Sequence, residues 1–376
     1  MRHSASYHRS SLVLLALVTL VALVAFLSLA QPPVASPSRQ ADSGEAAHTQ
    51  LADPPRKVGG AIILGFADAD LAQYVANAKE PISILSPLSF FVTSASGTLT
   101  GRVSSSIVTV AHAHQVVVWP MVEAGFDPSR TNALLTNRGA RARLVQQILA
   151  DVRRYRLDGI NLDFEDMLPA DAPRFTNFVA DLASALHASG KGLSVDVTPP
   201  SPDPNWGMVY QRAALAQAAD YVALMTYDEH YAGDPLAGSV ASLPWTDASL
   251  LATLRSGVPA SRLLLGVPLY TRDWYWTKAG MQSSYIPMAE GMADAQRPGA
   301  HTAWDAHDRQ DVLTYERAGV HHKVWLENST SLRERGQLAR AVGLAGVAVW
   351  QLDLGNAEDI QSILSGLASS PRRAAR

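Results

Sequence analysis

Eight short runs of apolar residues recur along this chain, and between several of them the pattern switches to the spacing of an amphipathic helix. The runs are Ala61–Phe66, Ile82–Thr93, Gln115–Val122, Gly159–Phe164, Leu193–Thr198, Tyr221–Thr226, Leu263–Leu269 and Gly346–Gln351. Helical patterns cover Leu71–Ala78, Thr136–Tyr155, Pro173–Ser189, Ala213–Ala218 and Leu332–Val342. Within Thr136–Tyr155, the apolar Leu144, Ile148, Leu149 and Val152 repeat at the spacing that lines one face of a helix. A strand that is apolar along its whole length needs cover on both faces, and strands of that kind separated by helices indicate a parallel sheet. Eight of them predict a (β/α)8 TIM barrel, a fold that fills about 250 residues as one domain. The interval from Asp273 to Val324 is longer and less periodic than the others, and it reads as a small insertion, about residues 273–324, between strand seven and helix seven.

The chain ends have a different character. Met1–Ser10 carries Arg2 and Arg9 and no acidic residue, and Ser11–Ala30 is uncharged and rich in Leu, Val and Ala. A basic flank before an apolar stretch is an export signal, and about 20 apolar residues also suffice for a membrane-spanning helix. Residues 1–30 are therefore expected to be a signal peptide or an N-terminal anchor, with Ser28 and Ala30 as small residues at a cleavage site. The arginines on the N-terminal side would leave the rest of the chain outside the cytoplasm. Residues 31–56, with Pro32, Pro33, Pro37, Pro54 and Pro55, read as a flexible linker; 57–365 are assigned to the barrel and 366–376 to a disordered tail.

Composition removes several function classes. The net charge is −3 and 17% of residues are charged, so no basic surface points to nucleic acid or to anionic lipid beyond the N-terminal segment. Cysteine is absent, which excludes disulfides, thiolate nucleophiles and cysteine-based zinc sites. His112 and His114, and Asp228 with His230, lack the helical spacing of a metal site, so no metal or other cofactor is expected. No G-x-S-x-G element is present for a serine nucleophile.

In a barrel of this kind the catalytic groups sit at the C-terminal ends of the strands. Polar and aromatic residues gather at those ends here: Asp163 and Glu165 on the fourth, Asp196 and Thr198 on the fifth, and Met225-Thr-Tyr-Asp228 on the sixth. Tyr270, Arg272 and Trp274 follow on the seventh, and Trp350 on the eighth. Asn161, Asp163 and Glu165 are spaced by two, so along a strand they project from the same face. Two carboxylates so placed do not both ionise without penalty, and one pKa should rise, as a general acid requires. On spacing alone the same pattern also fits a solvated acidic strand end or a cation site.

The wider segment Asp158-Gly-Ile-Asn-Leu-Asp-Phe-Glu165 resembles the D-G-x-D-x-D-x-E signature of glycoside hydrolase family 18, on the fourth strand as in that family. The resemblance extends over most of residues 58–360, through Ser89-Phe-Phe-Val-Thr-Ser-Ala-Ser-Gly-Thr-Leu99, Met225-Thr-Tyr-Asp-Glu-His230, Gly266-Val-Pro-Leu-Tyr-Thr-Arg-Asp-Trp274, Val324-Trp-Leu-Glu-Asn-Ser-Thr-Ser-Leu332 and Gly346-Val-Ala-Val-Trp-Gln-Leu352. It is strongest toward the branch with spore-germination and spore-cortex-lytic N-acetylglucosaminidases. The LysM repeats common in that branch are not found, and the apolar N-terminal segment and linker stand in their place.

The resemblance implies retaining, substrate-assisted hydrolysis of β-1,4 bonds in glycans containing N-acetylglucosamine, peptidoglycan or chitin-like. It assigns Glu165 as the proton donor, Asp163 as the partner of the substrate's acetamido N–H, and Tyr227 as the group that positions the acetamido oxygen, with Asp228 in support. Trp350 would stack under the sugar at the cleavage point. Apart from the resemblance, Tyr270, Arg272 and Trp274 at the end of the seventh strand are expected to line further subsites, since aromatic faces stack on pyranose rings, with Arg272 equally placed as a structural ion-pair partner. Phe90 is equally placed to be barrel core. Asn161 departs from the signature by replacing a carboxylate with an amide, which bears on the pH optimum. A monomer acting on a polysaccharide is expected. The alternative is a catalytically inactive, carbohydrate-binding member of the same family.

Overall fold

The computed structural model describes residues 54–68 and 81–368. The expected export segment, the expected linker as far as residue 53, the helical pattern Leu71–Ala78 and the tail beyond residue 368 lie outside the described residues. Among the described residues no helix is long and apolar enough to cross a membrane.

The chain begins with β1 (Ile62–Ala67) and β2 (Ile84–Val92), against which β3 (Leu99–Gly101) folds back antiparallel. After α1 (Ser105–Ala113) the third barrel strand comes in two pieces, β4 (Val117–Val118) and β5 (Met121–Glu123). The break falls at Trp119-Pro120, where proline has no N–H to give to the ladder. Next come α2 (Pro128–Thr136), α3 (Arg138–Tyr155), β6 (Gly159–Asp163), α4 (Ala172–His187) and β7 (Gly192–Val197). The chain continues through α5 (Arg212–Ala218), β8 (Tyr221–Leu224), α6 (Leu243–Arg255) and β9 (Leu263–Pro268).

An insertion then leaves the barrel: β10 (Tyr270–Thr277), β11 (Gly280–Pro287), α7 (Met288–Asp294), β12 (His301–Asp305), β13 (Gln310–Arg317) and β14 (Val320–Leu326). The chain returns through α8 (Ser329–Val342), β15 (Gly346–Trp350) and α9 (Ala357–Ala368). The barrel strands pair in parallel, and β1 pairs with both β15 and β2, so the sheet closes on itself. The insertion is a separate five-stranded antiparallel sheet in the order β11-β10-β14-β13-β12.

Strand alternation divides the core into two layers. Ile62, Leu64, Phe66, Trp119, Met121 and Leu264 pack with one another inside the barrel. Ile63, Leu162, Val195 and Leu265 belong to the larger cluster with the helices, including Phe175, Phe178 and Leu182 of α4. Ile160 and Leu162 of the signature therefore lie under the helices, and the side chains between them face the barrel interior. The indole of Trp119 fills the lower interior so closely that a Cβ on Gly192 would come within 2.1 Å of it.

Helix starts follow local chemistry. Asp127 accepts from the Arg130 N–H at the head of α2, and Asn137 accepts from the Ala140 N–H at the head of α3. Both satisfy donors that the first helical turn would otherwise leave unpaired. Helix α6 shows little apolar periodicity because its buried face is carried largely by Thr246, Ser249 and Thr253.

Candidate active site

Each end of the segment Asp158–Glu165 does separate work. Asp158, at the N-terminal mouth of the barrel, accepts from the Val118 N–H at 2.9 Å and lies 2.7 Å from His112 Nε2. It fastens strand three to strand four, far along the strand from Glu165. At the other end, Phe164 turns outward and stacks on Phe175 and Phe178, with ring centroids 5.6 and 5.7 Å away. That outward anchor aims its neighbours Asp163 and Glu165 into the barrel mouth.

Asn161 and Asp163 are buried at 0% and 8% exposure. The Asn161 amide donates to Asp196 Oδ1 at 2.8 Å and to Ser194 Oγ at 3.0 Å on β7. Glu165 lies beyond the end of β6, in the wall between two adjoining cavities of about 680 and 250 Å³. Trp206, Met225, Tyr227, Asp228 and Arg272 line both cavities with it, so the two form one cleft. Asp163, Asp196, Tyr270 and Trp350 line the smaller part. The structure thus gathers Glu165, Asp163, Tyr227, Asp228, Trp350, Tyr270 and Arg272 around one cleft, and Asn161 sits below it against Asp196.

The aromatic groups brace one another. Tyr227 meets Tyr270 edge-on at 6.2 Å and Trp350 at 6.4 Å, and Trp350 packs on Phe66 at 5.2 Å. The Tyr270 hydroxyl donates to Asp228 Oδ1 at 2.5 Å. Asp228 has φ 60°, in the left-handed region that aspartate tolerates better than branched residues. Arg272 Nε donates to Ser283 Oγ at 3.1 Å.

The electrostatics favour protons on the acids. Burial, then Asp163, Asp196, Asp228 and Glu123, push the Glu165 carboxyl well above the usual range. Burial and the neighbouring Glu123 raise Asp163 to about 7. Burial and Asp163 raise Asp196, against the opposing hydrogen bond from Asn161. Tyr227 and Tyr270 are raised mainly by burial, so both phenols keep their protons and remain donors. A carboxyl raised in this way on the wall of a cleft is suited to hold a proton where a ligand would lie.

The remaining residues of the sequence reading take other places, and Trp274 departs from its expected one. Trp274 is 1% exposed and its indole N–H donates to the Gly238 carbonyl, so it offers no face to a sugar. Phe90 is core, against Tyr155. Thr198 lines the larger cavity, and its hydroxyl donates to the Trp206 carbonyl while its own carbonyl accepts from Arg212. His230 faces Asp234 at 3.2 Å, and among the described residues no group of three His, Asp or Glu could hold a metal.

Several residues in or beside the cleft escaped the sequence reading. Glu123 ends the third barrel strand beside Asp163, and the strand-end rule applied to that strand would have found it. Trp206 follows the fifth strand in a proline-rich loop, and Phe126 follows the third; their rings lie 5.8 Å apart at the cleft. Tyr285 comes from the inserted sheet and stacks on Tyr270 at 4.7 Å, a pairing that no local pattern announces.

Comparison with known proteins agrees with this geometry. Glycosyl hydrolases family 18 matches residues 89–355. The chain is 28% identical over 267 residues to the uncharacterized glycosylase YvbX of Bacillus subtilis (strain 168), covering 68% of this chain and 76% of that protein. It is 24% identical over 245 residues to the cortical fragment-lytic enzyme of the same organism, covering 64% of this chain and 56% of that protein. The crystal structure of a chitinase from Chromobacterium violaceum ATCC 12472 superposes with a TM-score of 0.74 at 26% identity, covering 82% of this chain and 100% of that one. A closed parallel barrel with its acids at the mouth of the fourth strand, and a family match across most of its length, make this chain a member of glycosyl hydrolases family 18 and a glycoside hydrolase.

Proposed function

We propose that the protein hydrolyses β-1,4 bonds of glycans containing N-acetylglucosamine by a retaining, substrate-assisted route. The observation that carries this reading is the placement of Glu165 between the two parts of the cleft, with Asp163 and Trp350 on the smaller side and Tyr227 lining both. A sugar seated on Trp350 would put its glycosidic oxygen beside Glu165 and its 2-acetamido group toward Asp163 and Tyr227. Glu165 donates its proton to the leaving oxygen. The acetamido carbonyl of the same sugar attacks the anomeric carbon and forms an oxazolinium ring. Asp163 accepts the acetamido N–H and offsets the ring's positive charge, while the Tyr227 hydroxyl positions the acetamido oxygen. Glu165, now a carboxylate, takes a proton from the water that opens the ring, which restores the acid and retains the anomeric configuration.

A two-carboxylate route needs a nucleophile across the sugar from the acid, with the carboxyls about 5 Å apart in a retaining enzyme. Asp163 ends β6 two residues before Glu165, so the two carboxyls rise from the same side of the cleft, which supports the acetamido group as nucleophile. The names of the relatives favour peptidoglycan or chitin as the polymer. We place the substrate outside the cytoplasm, on the strength of the basic and apolar N-terminal segment.

Release of reducing ends from purified peptidoglycan and from chitooligosaccharides, with product masses, tests the reading. Wild type should release them from at least one polymer, and Glu165→Gln should lose activity by about 10²-fold or more while still binding. Equal inertness of both proteins, with glycan binding intact, would instead identify a carbohydrate-binding protein.

A further inference from the structure

The barrel interior below Glu165 holds a carboxyl that the reaction above does not use. Asp196 is 2% exposed, on the strand next to the one that carries Asp163. Leu162 pairs with Val195, so Asp163 and Asp196, the next residue on each strand, come side by side on the inward face. Asn161 reaches across the same strand pair and donates to Asp196 Oδ1 at 2.8 Å. An amide N–H bonded to that oxygen requires it to be an acceptor, so a proton on Asp196 must sit on Oδ2. Two further acceptors in this space, Asp163 Oδ1 and Asn161 Oδ1, are buried with no partner among the described residues.

The surrounding charges all press the same way. Glu123 faces Asp163 from β5, while Glu165, Asp228 and the phenols of Tyr227 and Tyr210 close the space from above and beside. Arg212 spends its guanidinium on the carbonyls of Thr198 and Gly207, and Arg272 lies toward Asp228. None of the ion pairs among the described residues includes Asp163, Glu165 or Asp196. Two adjacent carboxylates without a cation cannot both ionise near neutral pH in a desolvated site.

We propose that Asp163 and Asp196 hold a single proton between them, with Asn161 as the uncharged brace that fixes Asp196, so that Asp196 is a positioning residue for the reaction. The raised titration of both carboxyls agrees with this. The amide at position 161 removes the carboxylate that the signature places on the fourth strand, and the carboxyl beside Asp163 comes instead from the fifth. This role rests on the reaction proposed above. As positive charge grows on the oxazolinium ring, the shared proton resides on Asp196 Oδ2 and Asp163 is the anion facing the ring. When the ring opens the proton is shared again, and the pair neither gains nor loses one over the cycle.

Carboxyl ¹³C NMR titration of aspartate-labelled protein tests the pairing, with the two resonances identified by their loss in Asp163→Asn and Asp196→Asn. In wild type both resonances should move in the same two steps, because coupled acids titrate as a pair. In Asp196→Asn, Asp163 should titrate in one step, on the order of one pH unit below the upper step of wild type. Separate single steps in wild type, or an Asp163 midpoint unchanged in Asp196→Asn, would overturn the proposal; the wild-type spectrum decides even if the variant fails to fold. Hydrolysis of N-acetylchitotetraose is followed on the same samples. Inert wild type with a two-step titration would sink the proposed reaction and leave the shared proton standing.

Discussion

The Tyr270 hydroxyl donates to Asp228 Oδ1 at 2.5 Å and ties the first strand of the inserted sheet to the loop after the sixth barrel strand. Asp228 is raised by burial, and this bond together with Arg272 opposes that rise. Tyr270→Phe removes the donor and leaves the carboxylate without it, a loss of about 1.5–3 kcal/mol for a bond to a charged group. On a chitooligosaccharide substrate, kcat/KM should fall by roughly tenfold to a hundredfold, and the melting temperature should drop by several degrees. Unaltered kinetics would show that the contact does not support the site.

Asp163 governs a stability that depends on pH. Its folded value is raised to about 7, against an ordinary ~3.9 in an unfolded chain. Between these values the folded state binds more protons than the unfolded one, so stability is greatest below the lower value and falls as pH rises through the interval. Asp163→Asn cannot ionise and escapes that loss. It should melt a few degrees above wild type at about pH 8, where 1 kcal/mol is worth ~2–4 °C, and the gain should shrink toward about pH 4. A gain that is the same at both pH values would count against a raised Asp163.

Arg335, 1% exposed, pairs with Glu327 and also donates to Thr246 Oγ1 at 3.1 Å and to the Ala241 carbonyl. Gln310 donates to the same Glu327 at 2.7 Å, so the cluster joins α6, α8 and the inserted sheet. Breaking such a pair leaves a buried charge without its partner. Arg335→Met should cost about 3–5 kcal/mol in urea unfolding. Adding Glu327→Gln should recover part of this; a double variant as unstable as the sum of the singles would argue that the two do not interact.

Gly192 lies against the Trp119 indole, which also crowds Gly159. Gly192→Ala overfills the barrel and should cost about 1–3 kcal/mol. Trp119→Leu in the same chain should relieve the crowding, so that the added methyl costs less there than in wild type, measured as a double-mutant cycle by denaturant unfolding.

The residues by themselves determined the barrel, because its strands are short, largely apolar runs separated by helices and that pattern is local. They also determined the place of the acid: the spacing of Asn161, Asp163 and Glu165 sets a common face once the segment is a strand. The helices Pro128–Thr136 and Leu243–Arg255 were not legible in this way. The second buries Thr and Ser against Arg335 where a periodic pattern would show Leu or Ile. Only the tertiary structure decided what surrounds the acid. Asp196, Trp206 and Tyr285 come from three separate segments that closure of the barrel and docking of the inserted sheet bring to one cleft, with Glu123 of a fourth segment beside Asp163. The same closure buried Trp274, which the strand-end rule alone had placed among sugar-facing residues. The Glu165 carboxyl is in turn raised well above its ordinary range because those segments exclude water and set negative groups beside it, a property of the assembled site that no single stretch of chain carries.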